Sequence, residues 1–463
     1  MIKKIITLVV FLMLGSQLVF AQEFQEEFTY QEYLAHVKKF HPLVKKAELK
    51  LSEAEAKLLK ARGAFDPKIL GDFSQKEYHD KKYYSLFNGS FKIPTWYGIE
   101  IKAAFDNNGG VYLNPQNKVP YNGLTSLGIT IPVGQGLWIN DRMAELKKGK
   151  LYVELGSYEQ TLAVIDAIYE ASVAYMDWKQ NFEKVKMYEY FLKNAEIRLD
   201  WTKKSIRLGG LSPIDSVESG INVKTRKLEL EQAKLKLMKS RLALSNYIWT
   251  ENNIPLELDE RMVPETELSD GILDVLGINP LARNTNLDEH PKISSLNTKI
   301  QIQEIDRKLK ANSLLPKLDV SYNYLSEPDY ITDGRLEDYK VGASFTLPIF
   351  LRKERAALKL AKIKLQDAQY GLQFQKQSVQ NKIDAQYNEL DSYQQQLSLN
   401  LDLVHSYQQM LDAEMRLFEM GESSIFYVNT RENKLVKVKI SDIELTNSYL
   451  NSVLNLYKVL GRL

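Results

Sequence analysis

The chain has 463 residues, with 61 Lys+Arg against 59 Asp+Glu, a formal charge of +2. Near-neutrality argues against nucleic acid as the main partner, because phosphate binding is driven by clustered basic residues. Cysteine is absent, which excludes disulfides, thiolate metal sites, a cysteine nucleophile and a lipid-modified cysteine at the mature N-terminus.

Residues 1–21 read as an address. Lys3 and Lys4 precede an apolar stretch from Ile5 to Leu14, and Val19 and Ala21 stand at the −3 and −1 positions of a secretory signal peptide. The apolar stretch is shorter than the roughly 20 residues a spanning helix needs, so the mature chain is expected to be exported without a transmembrane helix.

The rest is written twice. His41-Pro42 opens a segment that reaches Pro67-Lys68, and His290-Pro291 opens one that reaches Pro316-Lys317, each with its prolines 25 positions apart. Ile131-Pro132 matches Leu347-Pro348, and Gly210-Leu211-Ser212 matches Gly421-Glu422-Ser423. The period is far longer than that of a solenoid and indicates a duplicated domain. The expected repeats are 22–249 and 290–463, joined by an acidic, Pro-containing segment, 250–289.

Each repeat has one plan. Val44, Ala47, Leu51, Ala54, Leu58 and Ala61 alternate by three and four, which predicts a helix that stops near Gly63 and Pro67. Strand-like alternation follows. In the second repeat Leu318, Val320, Tyr322 and Tyr324 oppose Asp319, Ser321 and Asn323, and Tyr339, Val341, Ala343, Phe345 and Leu347 oppose Lys340, Gly342, Ser344 and Thr346. In the first repeat the corresponding strands hold Ile69, Gly71 and Phe73, then Leu127, Ile129 and Ile131. About 33 extra residues lie between them, including an alternating run from Tyr97 to Phe105. They add a hairpin, lengthen one, or form a surface loop or a plug.

After Pro132 and Pro348 the period becomes that of a coiled coil. A helix from about 138 to 208 is expected, because no proline interrupts 133–212. Gly209-Gly210 ends it, Ser212 caps the next helix, and Pro213 fits its first position. The return helix repeats by sevens as Ile221, Leu228, Leu235, Leu242 and Trp249, and its counterpart as Val436, Ile443, Leu450 and Tyr457.

The strands suit two solvents. One reading is a soluble sandwich. The other is a membrane barrel with the apolar face towards lipid and Asp319, Ser321, Asn323 and Lys340 towards a wet lumen. A barrel requires several chains, since open edges are not tolerated in lipid. The deciding observation is what covers Val320, Tyr322, Val341 and Phe345.

The order and spacing of these features, twice over, resemble the TolC family of outer-membrane efflux channels along the whole mature chain. The features are the His-Pro openings, the Pro-Lys passages into strand, the Ile-Pro and Leu-Pro exits, and the turns Gly210-Leu211-Ser212-Pro213 and Gly421-Glu422-Ser423. The resemblance implies a mostly α fold with transmembrane β: tandem-duplicated coiled-coil helices, with four strands per chain in a trimeric twelve-stranded barrel. It implies a homotrimer in outer-membrane lipid with a helical tunnel in the periplasm, not lipid-anchored, with the inter-repeat segment in an equatorial belt. The function implied is a passive exit duct for tripartite efflux or type I secretion, coupled through a periplasmic adaptor to an inner-membrane pump.

By the same resemblance Leu208, Gly209, Gly210 and Leu211, with Met420, Gly421, Glu422 and Ser423, are the tips that meet the adaptor. Family members often close this end with acidic rings inside the second turn. Here those positions are Tyr427 and Thr430, and Asp215, Glu218 and Tyr427 are the gate candidates. Asp215 is also the third residue after Ser212 in a capping box. A periplasmic coiled-coil adaptor or scaffold is the alternative reading.

The chemistry of an enzyme is missing. The sequence holds no phosphate-cradling glycine loop, GxSxG elbow or HExxH, and its five histidines lack ligand spacing. His41 and His290 read as helix-start residues. No cofactor or metal is expected.

Overall fold

A computed structural model describes residues 26–278, 286–333 and 337–462. The expected signal peptide lies outside the described residues, as do residues 279–285 of the inter-repeat segment. In chain order the elements are β1 (Glu26–Phe28), α1 (Tyr30–Phe40), α2 (Pro42–Arg62), β2 (Lys68–Tyr78), β3 (Lys81–Pro94), β4 (Glu100–Gly109) and β5 (Leu124–Pro132). Next come α3 (Asp141–Arg207), α4 (Pro213–Ser245), β6 (Met262–Pro264), α5 (Leu268–Val275) and α6 (Pro291–Asn312). The chain ends with β7 (Lys317–Ser326), β8 (Tyr339–Thr346), α7 (Arg352–Glu419) and α8 (Ile425–Leu460). The proline-free stretches do form single helices: α3 has 67 residues and α7 has 68, each about 100 Å long at about 1.5 Å per residue. No helix among the described residues is both long and apolar enough to cross a membrane.

Contacts divide the chain into two units, and each draws on both repeats. One contains residues 46–164, 285–381 and 461–463 and holds the large sheet. Its strands run β2-β3-β4-β5-β7-β8, every neighbour antiparallel. The resemblance implies four strands per chain, and the sheet has six. The extra length of the first repeat forms two additional strands, β3 and β4, between the pair that matches β7 and β8. In the same unit, α2 and α3 approach closely through small residues. A Cβ at Gly156 would stand 2.8 Å from the Ala54 Cβ and 3.1 Å from the Lys50 carbonyl oxygen. Lys148 of α3 meets Asp306 of α6 at 3.0 Å, and the Asn312 amide donates to the Ile139 carbonyl at 2.7 Å.

The other unit contains, among the described residues, 26–45, 165–278 and 382–460. Strand β1 pairs in parallel with β6, so the inter-repeat segment is tied to the start of the chain. Tyr30, Tyr33, Tyr175 and Trp178 form the buried aromatic centre beside this pair, with Tyr175 at 5.3–5.4 Å from each of the other three rings. Each buried tyrosine hydroxyl has a partner: Tyr30 donates to Ser172 Oγ, Tyr33 to the Ala171 carbonyl and Tyr175 to the Phe28 carbonyl. Burial raises the pKa of all three. Lys179 is buried here and satisfied by Glu183 and the carbonyls of Glu265 and Thr266.

Both His-Pro sequences act as helix starts. The Leu43 backbone N–H donates to His41 Nδ1 at 3.3 Å, and the Lys292 N–H to His290 Nδ1 at 3.1 Å. Imidazole thus takes the part usually played by a serine or aspartate cap.

Candidate functional site

Two surfaces carry the residues singled out by the sequence: the faces of the sheet, and the turns that join the long helices.

The register fixes which side chains share a face. Leu318, Val320, Tyr322 and Tyr324 lie opposite Phe345, Ala343, Val341 and Tyr339. Carried strand to strand, the same face holds Ile131, Ile129 and Leu127 of β5, then Ile101, Ala103 and Phe105 of β4. It continues through Ile93, Phe91 and Phe87 of β3 to Ile69 and Phe73 of β2. No residue on this face within the paired spans carries a charge, up to the irregularity after Lys76. Nor is it a core: Val341 is 59% exposed, Phe345 65% and Ile69 84%.

The opposite face is polar. Asp319, Ser321, Asn323 and Lys340 all lie on it, beside Lys68, Asp72, Asn88, Lys92, Lys102, Asp106 and Thr130. Asn323 is paired with Lys340, whose carbonyl accepts from the Asn323 amide at 3.4 Å, and Lys317 lies 3.4 Å from Asp319. Apolar-out and polar-in over six strands is the pattern of a barrel wall bathed by lipid on one side and water on the other.

The turns are built alike. Gly209 and Gly421 adopt φ of +80° and +79°, the left-handed position that ends a helix without a Cβ penalty. The Gly209 N–H donates to the Ile206 carbonyl and the Gly210 N–H to Ser205; Gly421 donates to Phe418 and Glu422 to Leu417 in the same pattern. Geometry therefore aligns Gly209 with Gly421 and Ser212 with Ser424, one residue away from the match made on sequence. Leu208 and Met420 project into solvent at equivalent places.

Of the gate candidates, Asp215 closes the capping box, its Oδ2 accepting from the Ser212 N–H at 3.0 Å. Glu218 accepts from the Asn429 amide at 3.4 Å, and Tyr427 is exposed with its ring against Phe426. Among the described residues no hydrogen bond or ion pair joins Asp215, Glu218 and Tyr427 to one another. In the second turn Ser423 donates to Glu414, which Arg431 also contacts at 3.3 Å. The Ser423 hydroxyl lowers the Glu414 pKa, with Arg431 adding to it.

A polar network missed in the sequence lies about three turns inside both tips. Arg198 of α3 donates to both carboxylate oxygens of Glu432 on α8, at 2.8 and 3.0 Å, and to Asn429 at 3.1 Å. Asn222 of α4 donates to Asn429 at 3.0 Å and Glu432 at 3.3 Å. One turn further, Arg226 reaches Glu229 and Asn433. The Glu432 side chain is 1% exposed, so this network locks three helices together in a dry setting. The only hint in the sequence is the polar run Ser219, Asn222 and Arg226, spaced three and four apart on one face of α4.

Helix α4 also departs from expectation. Its buried face is Val223, Leu230 and Ala233, whereas the heptad Ile221, Leu228, Leu235 and Leu242 is exposed, Leu228 to 61%. The equivalent heptad of α8 is buried at Val436, Leu450 and Tyr457. On α7 Leu403, Met410 and Leu417 form a second exposed series by sevens.

Residues 283–462 match a family model described as outer membrane efflux protein. Curated proteins yield no significant match. Three solved structures share the fold along 93% of this chain. The Campylobacter jejuni CmeC outer membrane channel is 15% identical with a TM-score of 0.64 over 85% of its length. The outer membrane protein VceC of Vibrio cholerae is 12% identical, with 0.65 over 95%. The Neisseria gonorrhoeae MtrE outer membrane channel in its open state is 14% identical, with 0.64 over 88%. The second repeat thus matches the outer membrane efflux protein family, and the chain is built on the fold of TolC-like outer-membrane channels.

Proposed function

We propose that the protein is the outer-membrane exit duct of an efflux or type I secretion system, a conduit and not an enzyme. The observation that carries this reading is the six-stranded apolar face, uncharged and covered by no other layer. A soluble scaffold would pay heavily for such a surface, because exposed apolar patches beyond a few hundred Å² drive association. In lipid the same face is at home.

The chain acts as a homotrimer. The exposed heptads support this: α4 leaves its tip and α7 approaches its own, so an α4 from one protomer runs antiparallel to an α7 from the next. In that pairing Ile221 meets Met410 and Leu228 meets Leu403, giving each stripe the apolar partner it lacks within one chain. Asp319, Ser321, Asn323 and Lys340 line the lumen. The turns at Leu208–Leu211 and Met420–Ser423 receive a periplasmic adaptor, which links the duct to an inner-membrane pump. Their glycines allow a helical hairpin to approach the backbone closely. Asp215 belongs to the cap of α4, while Glu218 joins the Arg198–Glu432 network, which holds the tip of each protomer closed on itself. Repeats 22–249 and 290–463, with the segment 250–289 between them, form the two halves of the duct wall and its belt.

Fractionation of cells expressing the full chain tests this. Outer-membrane material that resists an alkaline wash and runs at trimer mass on a native gel is the expected result. Soluble periplasmic monomer would sink the duct and favour a scaffold.

A further inference from the structure

Among the described residues the sheet has two unpaired edges, the outer edges of β2 and β8. Six alternating antiparallel strands leave these edges running in opposite directions. The β8 edge of one copy therefore accepts the β2 edge of another as one more antiparallel pair, with the apolar faces continuous. Lipid does not tolerate open edges, so the sheet must close. Building on the proposed trimeric duct, we propose that three copies close an eighteen-stranded barrel through β8–β2 pairs, in place of the twelve strands that the resemblance implies.

The additional hairpin is part of the wall and not an appendage. Strand β3 pairs with β2 and β4, and β4 pairs with β5 over Glu100–Asp106. Its residues keep the same division, with Phe87, Phe91, Ile93, Ile101 and Phe105 on the apolar face. Its inner turn is fastened to the start of α3. Asn140 caps that helix, accepting from the Met143 N–H at 2.9 Å, while its amide donates to the Trp96 carbonyl at 3.1 Å. Gly98 fills the turn with φ +78°, and a Cβ there would stand 2.9 Å from Pro132. Arg142 then meets Glu100 at the foot of β4, at 3.1 Å.

The consequence is a wider outer mouth. With strands about 4.8 Å apart and tilted about 40°, eighteen strands enclose a wall about 36 Å across, against about 24 Å for twelve. Barrels of sixteen to eighteen strands hold an open aqueous channel. Lys68, Asp72, Lys92, Lys102 and Asp106 of the first repeat would extend the charged lining that Asp319 and Lys340 begin.

Because the chain has no cysteine, paired cysteines test the closure on a clean background. Asp72→Cys on β2 is combined in turn with Lys340→Cys, Gly342→Cys and Ser344→Cys on β8, all on the polar face. Asp72→Cys with Asn88→Cys, a pair seen in register within one chain, controls for oxidation. The expected result, in washed outer-membrane trimers, is a covalent trimer ladder from at least one β2–β8 combination. Asp72→Cys with Ala343→Cys, which places the two thiols on opposite faces, should give none. Trimers that lack every β2–β8 adduct while the control oxidises would overturn the eighteen-stranded barrel. So would an intrachain bond between Asp72→Cys and Ser126→Cys, which would bring β2 to β5 and expel the hairpin. Soluble monomer would instead refute the duct itself, so the two failures are distinct.

Discussion

The pair Arg198–Glu432 offers the sharpest energetic test of the helical unit. Glu432 accepts two hydrogen bonds from Arg198 and one from Asn222, and its side chain is 1% exposed while that of Arg198 is 12% exposed. Glu432→Ala leaves a guanidinium in a nearly dry site with the Asn429 amide oxygen as its acceptor. Breaking a buried pair from one side costs about 3–5 kcal/mol, which is roughly two to three and a half orders of magnitude in the local opening equilibrium. Glu432→Gln keeps the shape and one acceptor and should cost about 1.5–3 kcal/mol, the range for hydrogen bonds to charged groups. The double change Arg198→Met with Glu432→Met should recover most of the loss, because replacing both buried charges by apolar groups is often near neutral. Hydrogen exchange of the backbone amides around 192–202 and 428–436 in the intact protein reads this opening directly. Single changes that each shift exchange by less than about 0.5 kcal/mol, the range for ordinary surface substitutions, would refute the lock.

Four further outcomes follow from the geometry and charge. Gly156→Leu should force α2 and α3 apart against Ala54 and the Lys50 carbonyl, costing about 1–3 kcal/mol in thermal unfolding. Gly220→Ala, where a Cβ meets nothing within 4 Å, should be neutral or stabilising by up to about 1 kcal/mol. Leu228→Glu should leave the secondary structure by circular dichroism unchanged while shifting the native-gel band from trimer to monomer, if its exposed heptad lies between protomers. His41 lies with its pKa lowered by burial, against an opposing contribution from its bond to the Asn246 carbonyl. The folded state therefore holds its proton less tightly than the unfolded state. Stability is complete above the ordinary histidine value of 6.5 and is lost as pH falls from there towards the lowered folded value. His41→Asn keeps an acceptor for the Leu43 N–H and should flatten that acid-side decline in a melting series at pH 7.5 to 5.

The long helices were legible because their evidence is redundant. The expected helix from about 138 to 208 is Asp141–Arg207, and the glycines marked as helix ends have positive φ at Gly209 and Gly421. Strands β7 and β8 were equally plain, since apolar residues alternate with polar or small ones from Leu318 to Tyr324 and from Tyr339 to Thr346. Strand β3 was not, for a physical reason. Tyr83-Tyr84 and Leu86-Phe87 place large apolar residues on both faces, so the period of two disappears from the sequence while the ladder continues past one irregularity at Tyr83. The Arg198, Asn222 and Glu432 network was hidden differently. Each residue alone looks like solvated helix surface, and only the approach of three helices makes them a cluster.

Periodicity identifies a buried face without naming what buries it, and this chain shows the ambiguity on both kinds of element. The heptads of α4 and α8 read alike, yet that of α8 is covered within the chain and that of α4 is bare. Composition alone cannot separate them, because leucine packs as well against a copy of the chain as against its own neighbour. The sheet poses the same question with lipid as the third possibility. Here the absence of charge is the discriminating feature. A protein interface of this breadth usually carries a polar rim, whereas a face whose paired spans cross six strands without one charged residue matches a solvent that accepts none. The polar face, with lysine and aspartate interleaved along β2, β3, β4, β7 and β8, completes the argument. On the proposed reading those charges have water on their side, the sheet divides lipid from water, and a closed ring of copies leaves no edge unpaired.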